Sequence, residues 1–271
     1  MMPPTTDALI AKLSPRDLAI LDDLQQFRLL STRHIQRLHF PIAPDAHRTA
    51  AGATKATWRV LTRLERDGLI SHLQGRIGGV RQGSQGYVWQ LGSTGERLQR
   101  QRHGYKTRRR YTAPSQPFME HRAAVNDLVV RLRELQREGD IEWVEVEAEP
   151  QCWRTYTGPH GIPQTLKPDL YAVITRGEYE NHWFVEVDLA SEHLPQIVRK
   201  ANAYRAHAAT GLEQRRLGIY PAVLWITTDP PRVAAMRAAL RTDPGLPKGM
   251  FTVIAASEVD AFLRGSEGGA G

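Results

Sequence analysis

The chain has 271 residues, of which 41% are hydrophobic, so it can bury a core in one large domain or in two smaller ones. Its single cysteine, Cys152, excludes an internal disulfide and a cysteine-based zinc site, which agrees with a reducing cytoplasm. The sequence shows neither a signal-peptide pattern nor an apolar run long enough to span a membrane. We therefore expect a cytoplasmic protein with no membrane partner.

The net charge of +7 is distributed unevenly along the chain. Residues 1–113 contain 19 Lys and Arg against 8 Asp and Glu, whereas the remainder contains 17 against 21. A basic first half joined to a mildly acidic second half indicates that the first half meets a polyanion. The alternative is a solvated basic surface. We favour nucleic acid because the order of predicted elements in the same half agrees with it.

Two helix starts come early in the chain. Residues 14–17 (Ser-Pro-Arg-Asp) supply an N-cap serine, a proline at the first helical position and an acid in the first turn. A second helix begins at Ser31 or Thr32, and a loop containing two prolines is predicted over 39–52. The third helix, over 54–67, shows the clearest periodicity, with apolar residues on one side and basic residues on the opposite side.

The third helix is followed by two predicted strands, LISHLQGR and GYVWQL, which a glycine-rich loop connects. Three helices and a two-stranded hairpin are the order of a winged helix-turn-helix, whose third helix enters the major groove of DNA. Winged helices also serve as protein-interaction modules, which is the alternative. The residues expected to contact DNA are Lys55, Trp58, Arg59, Thr62, Arg63 and Arg66 of the helix, with Arg76 and Arg81 of the wing.

A basic linker is predicted over 101–117, after a fourth helix over 96–103. Its arginines Arg108, Arg109 and Arg110 extend the expected DNA contact surface; the alternative is a solvated linker. The expected organisation is therefore a winged-helix domain over 1–100, the linker, a second domain over 118–265 and a disordered tail over 266–271.

The second domain is predicted to contain helices and strands in the order α-β-β-β-α-β-α-β, an α/β sandwich. The segment YPAVLWITT is continuously apolar, which is typical of a buried parallel strand. The fold class of the whole chain is accordingly α+β with two domains.

Carboxylates interrupt two apolar strands of this domain. Asp169 opens one strand, and Glu186 and Asp188 share a face of the next because they are two residues apart. Lys200 lies on the helix that follows. Buried charges are costly unless they are paired or bind a metal, so these residues are candidates for holding Mg²⁺ and a water for phosphodiester cleavage. The alternative is that they cap turns or pair with nearby basic side chains.

Pro168-Asp169 and Glu186-Val187-Asp188 resemble the PD-(D/E)xK nuclease core. The resemblance implies a restriction-endonuclease-like fold in which Asp169 and Glu186 bind Mg²⁺. Asp188 stands where that pattern has lysine; it would either be a further metal ligand or repel the phosphate and silence the site. The resemblance implies that Lys200 supplies the missing catalytic lysine and that Glu120 is an additional helix glutamate of the site.

The whole chain resembles the replication-relaxation family of bacterial plasmid and mobile-element proteins. The resemblance rests on the predicted winged helix, on YVWQLGSTGERL (similar to a Tyr-x-Leu-x-x-x-Gly signature), on MEHRAAVND, on Lys-Pro-Asp at 167–169, and on EVDLASE followed by KxxxY at 200–204. It implies a protein that binds double-stranded DNA during replication or relaxation of plasmid DNA.

Three functions are consistent with these features. The first is a DNA-binding replication or transcription factor whose second domain docks partners or dimerises. The second is a Mg²⁺-dependent endonuclease or nickase that the winged helix directs to its site. The third is a protein-binding adaptor on a degenerate nuclease fold. The expected partners are DNA, other replication or mobile-element proteins and, by default, a second copy of the chain.

Overall fold

The computed structural model describes residues 9–44, 46–73, 87–107, 114–190 and 192–265. The chain divides into two compact units between Glu134 and Leu135. The predicted linker at 101–117 precedes this division, because most of the helix that follows the linker belongs to the first unit. The predicted wing arginines Arg76 and Arg81, the linker arginines Arg108, Arg109 and Arg110, and the predicted tail at 266–271 lie outside the described residues.

The first unit consists mainly of helices, with three short strands. Its elements are α1 (Pro15–Phe27), β1 (Leu30–Ser31), α2 (Thr32–His39), α3 (Ala50–Arg66), β2 (Ile70–Leu73), β3 (Val88–Leu91), α4 (Ser93–His103) and most of α5 (Gln116–Glu138). Helix α1 starts as predicted, with reciprocal hydrogen bonds between Ser14 and Asp17. Helix α3 begins earlier than predicted because Thr49 Oγ1 accepts a hydrogen bond from the Gly52 N–H at 3.1 Å.

The three strands of the first unit form an antiparallel sheet in the order β1-β3-β2. Helices α1, α2 and α3 bury one apolar face each in the interior of this unit. Helix α5 is held in the same unit by hydrogen bonds. Asn126 Nδ2 donates to the Leu29 carbonyl, and Asp127 Oδ1 lies 3.0 Å from His34 Nε2. The residues whose burial forms this core include Ile20, Leu21, Leu24, Ile35, Leu61, Leu64, Val88 and Leu98.

The second unit contains the predicted strands and the two later predicted helices in the predicted order, with a small hairpin and two short helices in addition, whereas most of the first helix predicted for this domain, α5, belongs to the first unit. Its elements are β4 (Trp143–Ala148), β5 (Arg154–Thr157), β6 (Pro163–Leu166), β7 (Leu170–Arg176), β8 (Tyr179–Asp188), α6 (Leu194–Ala208), α7 (Leu212–Leu217), β9 (Ala222–Thr227), α8 (Pro230–Thr242), β10 (Phe251–Ala255) and α9 (Val259–Leu263). The hairpin is formed by β5 and β6. Short 3-10 turns occur at Pro159–Gly161 and Ala256–Glu258.

Five strands form a mixed sheet in the order β10-β9-β8-β7-β4. Strands β8, β9 and β10 are parallel, whereas β7 runs antiparallel to both of its neighbours. The apolar segment predicted to be a buried strand is β9, which is flanked on both sides. The chain is therefore a mixed α/β protein. In the part of the chain that the structure describes, every helix is too short or too polar to cross a membrane.

Helices α6 and α8 pack together with the strands in one apolar core. Strand residues such as Phe184 and Trp225 contribute to it, with Ile197 and Tyr204 from α6 and Met236 from α8. Because side chains alternate along β8, Glu186 and Asp188 share the face of Phe184. The two acids therefore point toward the helices that cover this core.

Candidate functional site

Asp169 is hydrogen-bonded to the neighbouring strand β8 through both its backbone and its carboxylate. Its backbone N–H donates to the Val185 carbonyl at 3.1 Å, and its Oδ2 accepts a hydrogen bond from the Val187 N–H at 2.8 Å. These bonds hold the side chain beside Glu186, the residue between those two valines. Asp169 is buried. The antiparallel register of β7 and β8 thus brings together two acids that are distant in sequence.

Helix α6 supplies both hydrogen-bond partners of Glu186. Lys200 and Tyr204 are four residues apart and therefore lie on one face of the helix. Lys200 Nζ lies 2.5 Å from Glu186 Oε2, and the Tyr204 hydroxyl donates to Oε1. Glu186 and Tyr204 are fully buried, whereas the Lys200 side chain is about one-third exposed. We call Asp169, Glu186, Lys200 and Tyr204 the carboxylate centre.

The electrostatics of the carboxylate centre follow from its burial. Burial raises the pKa of Glu186, and the nearby charge of Asp169 raises it further against the opposing effects of Lys200 and Tyr204. Burial alone would lower the pKa of Lys200, but Glu186 and Asp169 outweigh it, and its pKa is raised. Burial and the Glu186 charge also raise the pKa of Tyr204. Lys200 and Tyr204 therefore keep their protons and act as donors to Glu186.

Asp188 is directed away from the carboxylate centre and toward helix α8. Arg232 Nε and Nη2 lie 2.5 and 3.3 Å from its two carboxylate oxygens, and Thr227 Oγ1 donates to Oδ2 at 3.1 Å. Arg232 also donates to the backbone carbonyl of Glu192. A buried carboxylate with a bidentate arginine is neutralised by it. This pairing is the alternative that the sequence left open for a strand-end acid.

The residues predicted to hold Mg²⁺ do not fit a divalent metal ion in this arrangement. Both oxygens of Glu186 have hydrogen-bond donors, one oxygen of Asp169 accepts a backbone N–H, and Asp188 is paired with Arg232. A hard divalent cation requires about six oxygen ligands in suitable positions. Among the described residues, no three or more His, Cys, Asp and Glu side chains form a group that could hold a metal.

Glu120 and Arg63 have partners within the first unit. Glu120 Oε1 accepts a hydrogen bond from Gln116 Nε2 at 2.8 Å, so this acid belongs to the first turn of α5. Arg63 Nη2 lies 2.5 Å from Asp17 Oδ1, and Asp17 is buried. Burial raises the pKa of Asp17, but the bonds from Arg63 and Ser14 outweigh it and lower the pKa overall. Arg63 thus stabilises the start of α1.

The outer face of α3 carries the remaining polar residues predicted on this helix. Ala53, Thr57, Leu61 and Leu64 are buried on its inner face. We call the exposed residues of the outer face the basic stripe; they are Lys55, Trp58, Arg59, Thr62 and Arg66. Their spacing of three and four residues makes them neighbours along the helix surface.

Several residues around these sites were not identified as functional from the sequence. Tyr204 has a sequence signal, because it follows Lys200 by four residues on a predicted helix. Arg232 has none, since it is one of several basic residues in α8 and its partner Asp188 is distant in sequence. Tyr87 likewise has no signal, because only the folded unit brings its ring to that of Trp58, which is distant in sequence.

Comparisons with known proteins give one match. The family model described as replication-relaxation matches residues 21–223. No curated protein and no solved structure matches the chain. The matched residues include both the basic stripe and the carboxylate centre and make up well over half of the sequence. The chain therefore belongs to the replication-relaxation family.

Proposed function

We propose that this chain binds double-stranded DNA through helix α3 and acts in the replication or relaxation of plasmid or mobile-element DNA. Family membership supports the process, and the order of three helices followed by antiparallel strands is that of a winged helix-turn-helix. The excess of basic residues over 1–113 supports a polyanionic partner.

The observation that carries the proposal is the basic stripe. Lys55, Arg59 and Arg66 are exposed on the side of α3 opposite its buried residues. A helix that presents exposed basic residues from one face can enter a groove and neutralise phosphates on both sides of it. Arg63 is less suited to this contact because its guanidinium is bonded to Asp17.

We expect Arg59→Ala to weaken binding to unrelated duplex sequences about equally and to reduce the slope of binding against salt by about one. The reason is that a single exposed arginine contacts phosphate more often than a base edge. Fluorescence anisotropy over a series of salt concentrations measures both quantities. Arg241→Ala, which removes an exposed arginine from α8, is the matched control and is expected to bind like wild type.

Two results would contradict this proposal. If Arg59→Ala and the double variant Lys55→Ala/Arg59→Ala bind duplex DNA with the affinity and salt slope of wild type, α3 is not the contact surface. If wild type binds no duplex DNA at low salt, the protein-binding adaptor becomes the better explanation of the exposed stripe.

A Mg²⁺-dependent endonuclease is the second candidate, and the contact between Lys200 and Glu186 beside Asp169 favours it. The occupied oxygens of Glu186 and the pairing of Asp188 with Arg232 oppose it. We expect supercoiled plasmid to stay intact when incubated with the protein and Mg²⁺ or Mn²⁺. Nicking that EDTA and Glu186→Gln both abolish would instead establish the nuclease.

A further inference from the structure

An aromatic cluster in the first unit shares Trp58 with the basic stripe. It consists of Trp58 on α3, His72 on β2, Tyr87 immediately before β3 and Trp89 on β3. The ring centroids of Trp58 and Tyr87 are 5.4 Å apart, and those of Tyr87 and His72 are 4.8 Å apart. Trp89 is buried beneath them, whereas Trp58 is 38% and Tyr87 44% exposed. The cluster therefore has a buried base and two large rings at the surface.

Hydrogen bonds hold the base of the aromatic cluster in place. Trp89 Nε1 donates to Thr32 Oγ1 at 2.9 Å, and the Thr32 N–H donates to the Tyr87 carbonyl at 2.9 Å. The His72 ring lies 2.5 Å from Glu65 Oε1 through its Nδ1, and that carboxylate also accepts the His72 N–H. These bonds fix Trp89, His72 and the backbone at Tyr87, so the base of the cluster is already ordered before a ligand binds and costs little further side-chain entropy.

The neighbours of the aromatic cluster indicate the chemistry of its ligand. Lys55 lies three residues before Trp58 and is its neighbour on the helix surface, and Arg59 is exposed on the same stripe, so positive charge lies close to the exposed rings. Contiguous exposed aromatic surface on a soluble unit is typical of a recognition site. Aromatic rings flanked by cations are the arrangement that binds single-stranded nucleic acid, in which the bases stack on the rings and the cations contact phosphates.

Intact duplex DNA does not offer this contact. In B-form DNA the base faces cover one another, and only base edges are accessible in the grooves. An aromatic ring can stack only on a base that is unpaired and displaced from the helix, and bases of every sequence have such a face.

We propose that the aromatic cluster is a stacking site for unpaired DNA bases, so that the first unit prefers DNA containing a locally melted region to fully paired duplex. This inference rests on the proposed DNA binding and adds the class of DNA that is recognised. The basic residues of the stripe contact the phosphates, and the exposed rings of Trp58 and Tyr87 receive the base.

The test uses the full chain and three labelled oligonucleotides of one sequence: a single strand, a paired duplex and a duplex with a central unpaired loop. We expect wild type to bind the looped duplex more tightly than the paired one. Trp58→Ala should reduce the ratio of these two affinities about ten-fold, since one stacked base is lost. Trp58→Phe keeps a ring and should retain most of the preference.

Two further variants make the test specific. Tyr87→Ala should also reduce the preference for looped DNA, and circular dichroism shows whether each variant is folded. Trp143→Ala removes an exposed aromatic residue from the second unit and should bind all three probes like wild type.

The inference is overturned if wild type binds looped and paired duplexes equally, or if folded Trp58→Ala keeps the wild-type ratio of affinities. In both cases duplex binding that depends on Arg59 leaves the proposed function standing. If wild type binds none of the three probes, the proposed function itself fails.

Discussion

Arg232→Ala is expected to lower the free energy of unfolding of the second unit by about 3–5 kcal/mol. Asp188 is almost completely buried, and Arg232 provides its charged partner. After the substitution, the carboxylate keeps only the Thr227 hydroxyl as a side-chain donor among the described contacts. An uncompensated buried charge is far more costly than the loss of one ordinary hydrogen bond.

Urea denaturation measures the lowered free energy of unfolding, and hydrogen exchange of the amides in β8 and β9 shows whether the destabilisation is centred on these strands. Arg241→Ala is the matched control, because it removes an exposed arginine from the same helix and should change stability by less than about 0.5 kcal/mol. The double variant Asp188→Asn/Arg232→Ala should recover part of the loss, since no buried charge remains. Equal midpoints for Arg232→Ala and Arg241→Ala would show that the pair contributes nothing.

Gly95→Ala is expected to destabilise the first unit by about 3 kcal/mol or more. A Cβ at this position would lie 2.0 Å from the Leu69 carbonyl oxygen, and that oxygen is backbone. Leu69 cannot move freely, because its N–H donates to the Leu64 carbonyl and its own carbonyl accepts from the Gly92 N–H. Relief of the clash would therefore separate α4 from the turn before β2.

Thermal unfolding followed by circular dichroism tests this expectation. Gly52→Ala is the control, because its new Cβ would meet only the Thr49 side-chain oxygen at 3.1 Å; we expect a change below about 1 kcal/mol. Since α3 belongs to the same unit, Gly95→Ala should also lose DNA binding at temperatures where wild type binds. A Gly95→Ala protein with the wild-type melting temperature would contradict this prediction, because it would show that the backbone relieves the clash with almost no loss of stability.

Local sequence patterns predicted most of the elements correctly, because their signals lie within a few residues. Ser14 and Asp17 predicted the start of α1, and apolar periodicity predicted the buried face of α3. The hairpin of β5 and β6 was missed, since its strands are four residues each and carry little alternation. The start of α3 was placed too late because alanine and glycine at 50–53 give no apolar periodicity.

The candidate site was predicted less completely, because part of it depends on contacts between elements that are distant in sequence. Alternation along one strand predicted that Glu186 and Asp188 share a face, and the helical repeat placed Lys200 and Tyr204 together. Whether two acids on one face share a partner depends on which helix covers each of them. Glu186 lies under α6 and Asp188 is paired from α8, so the expected three-carboxylate group is divided.

The sequence by itself determined the family, the mixed α/β class, the uneven charge and the exposed basic face of α3, because each depends on residue types and their order along the chain and not on which elements touch. Only the tertiary structure decided the partners of the buried charges. Contacts between different parts of the fold pair Asp17 with Arg63 and Asp188 with Arg232. The ring contact of Trp58 with Tyr87 is of the same kind. Such contacts depend on strand register and helix packing, and no local pattern of charge or hydropathy specifies them.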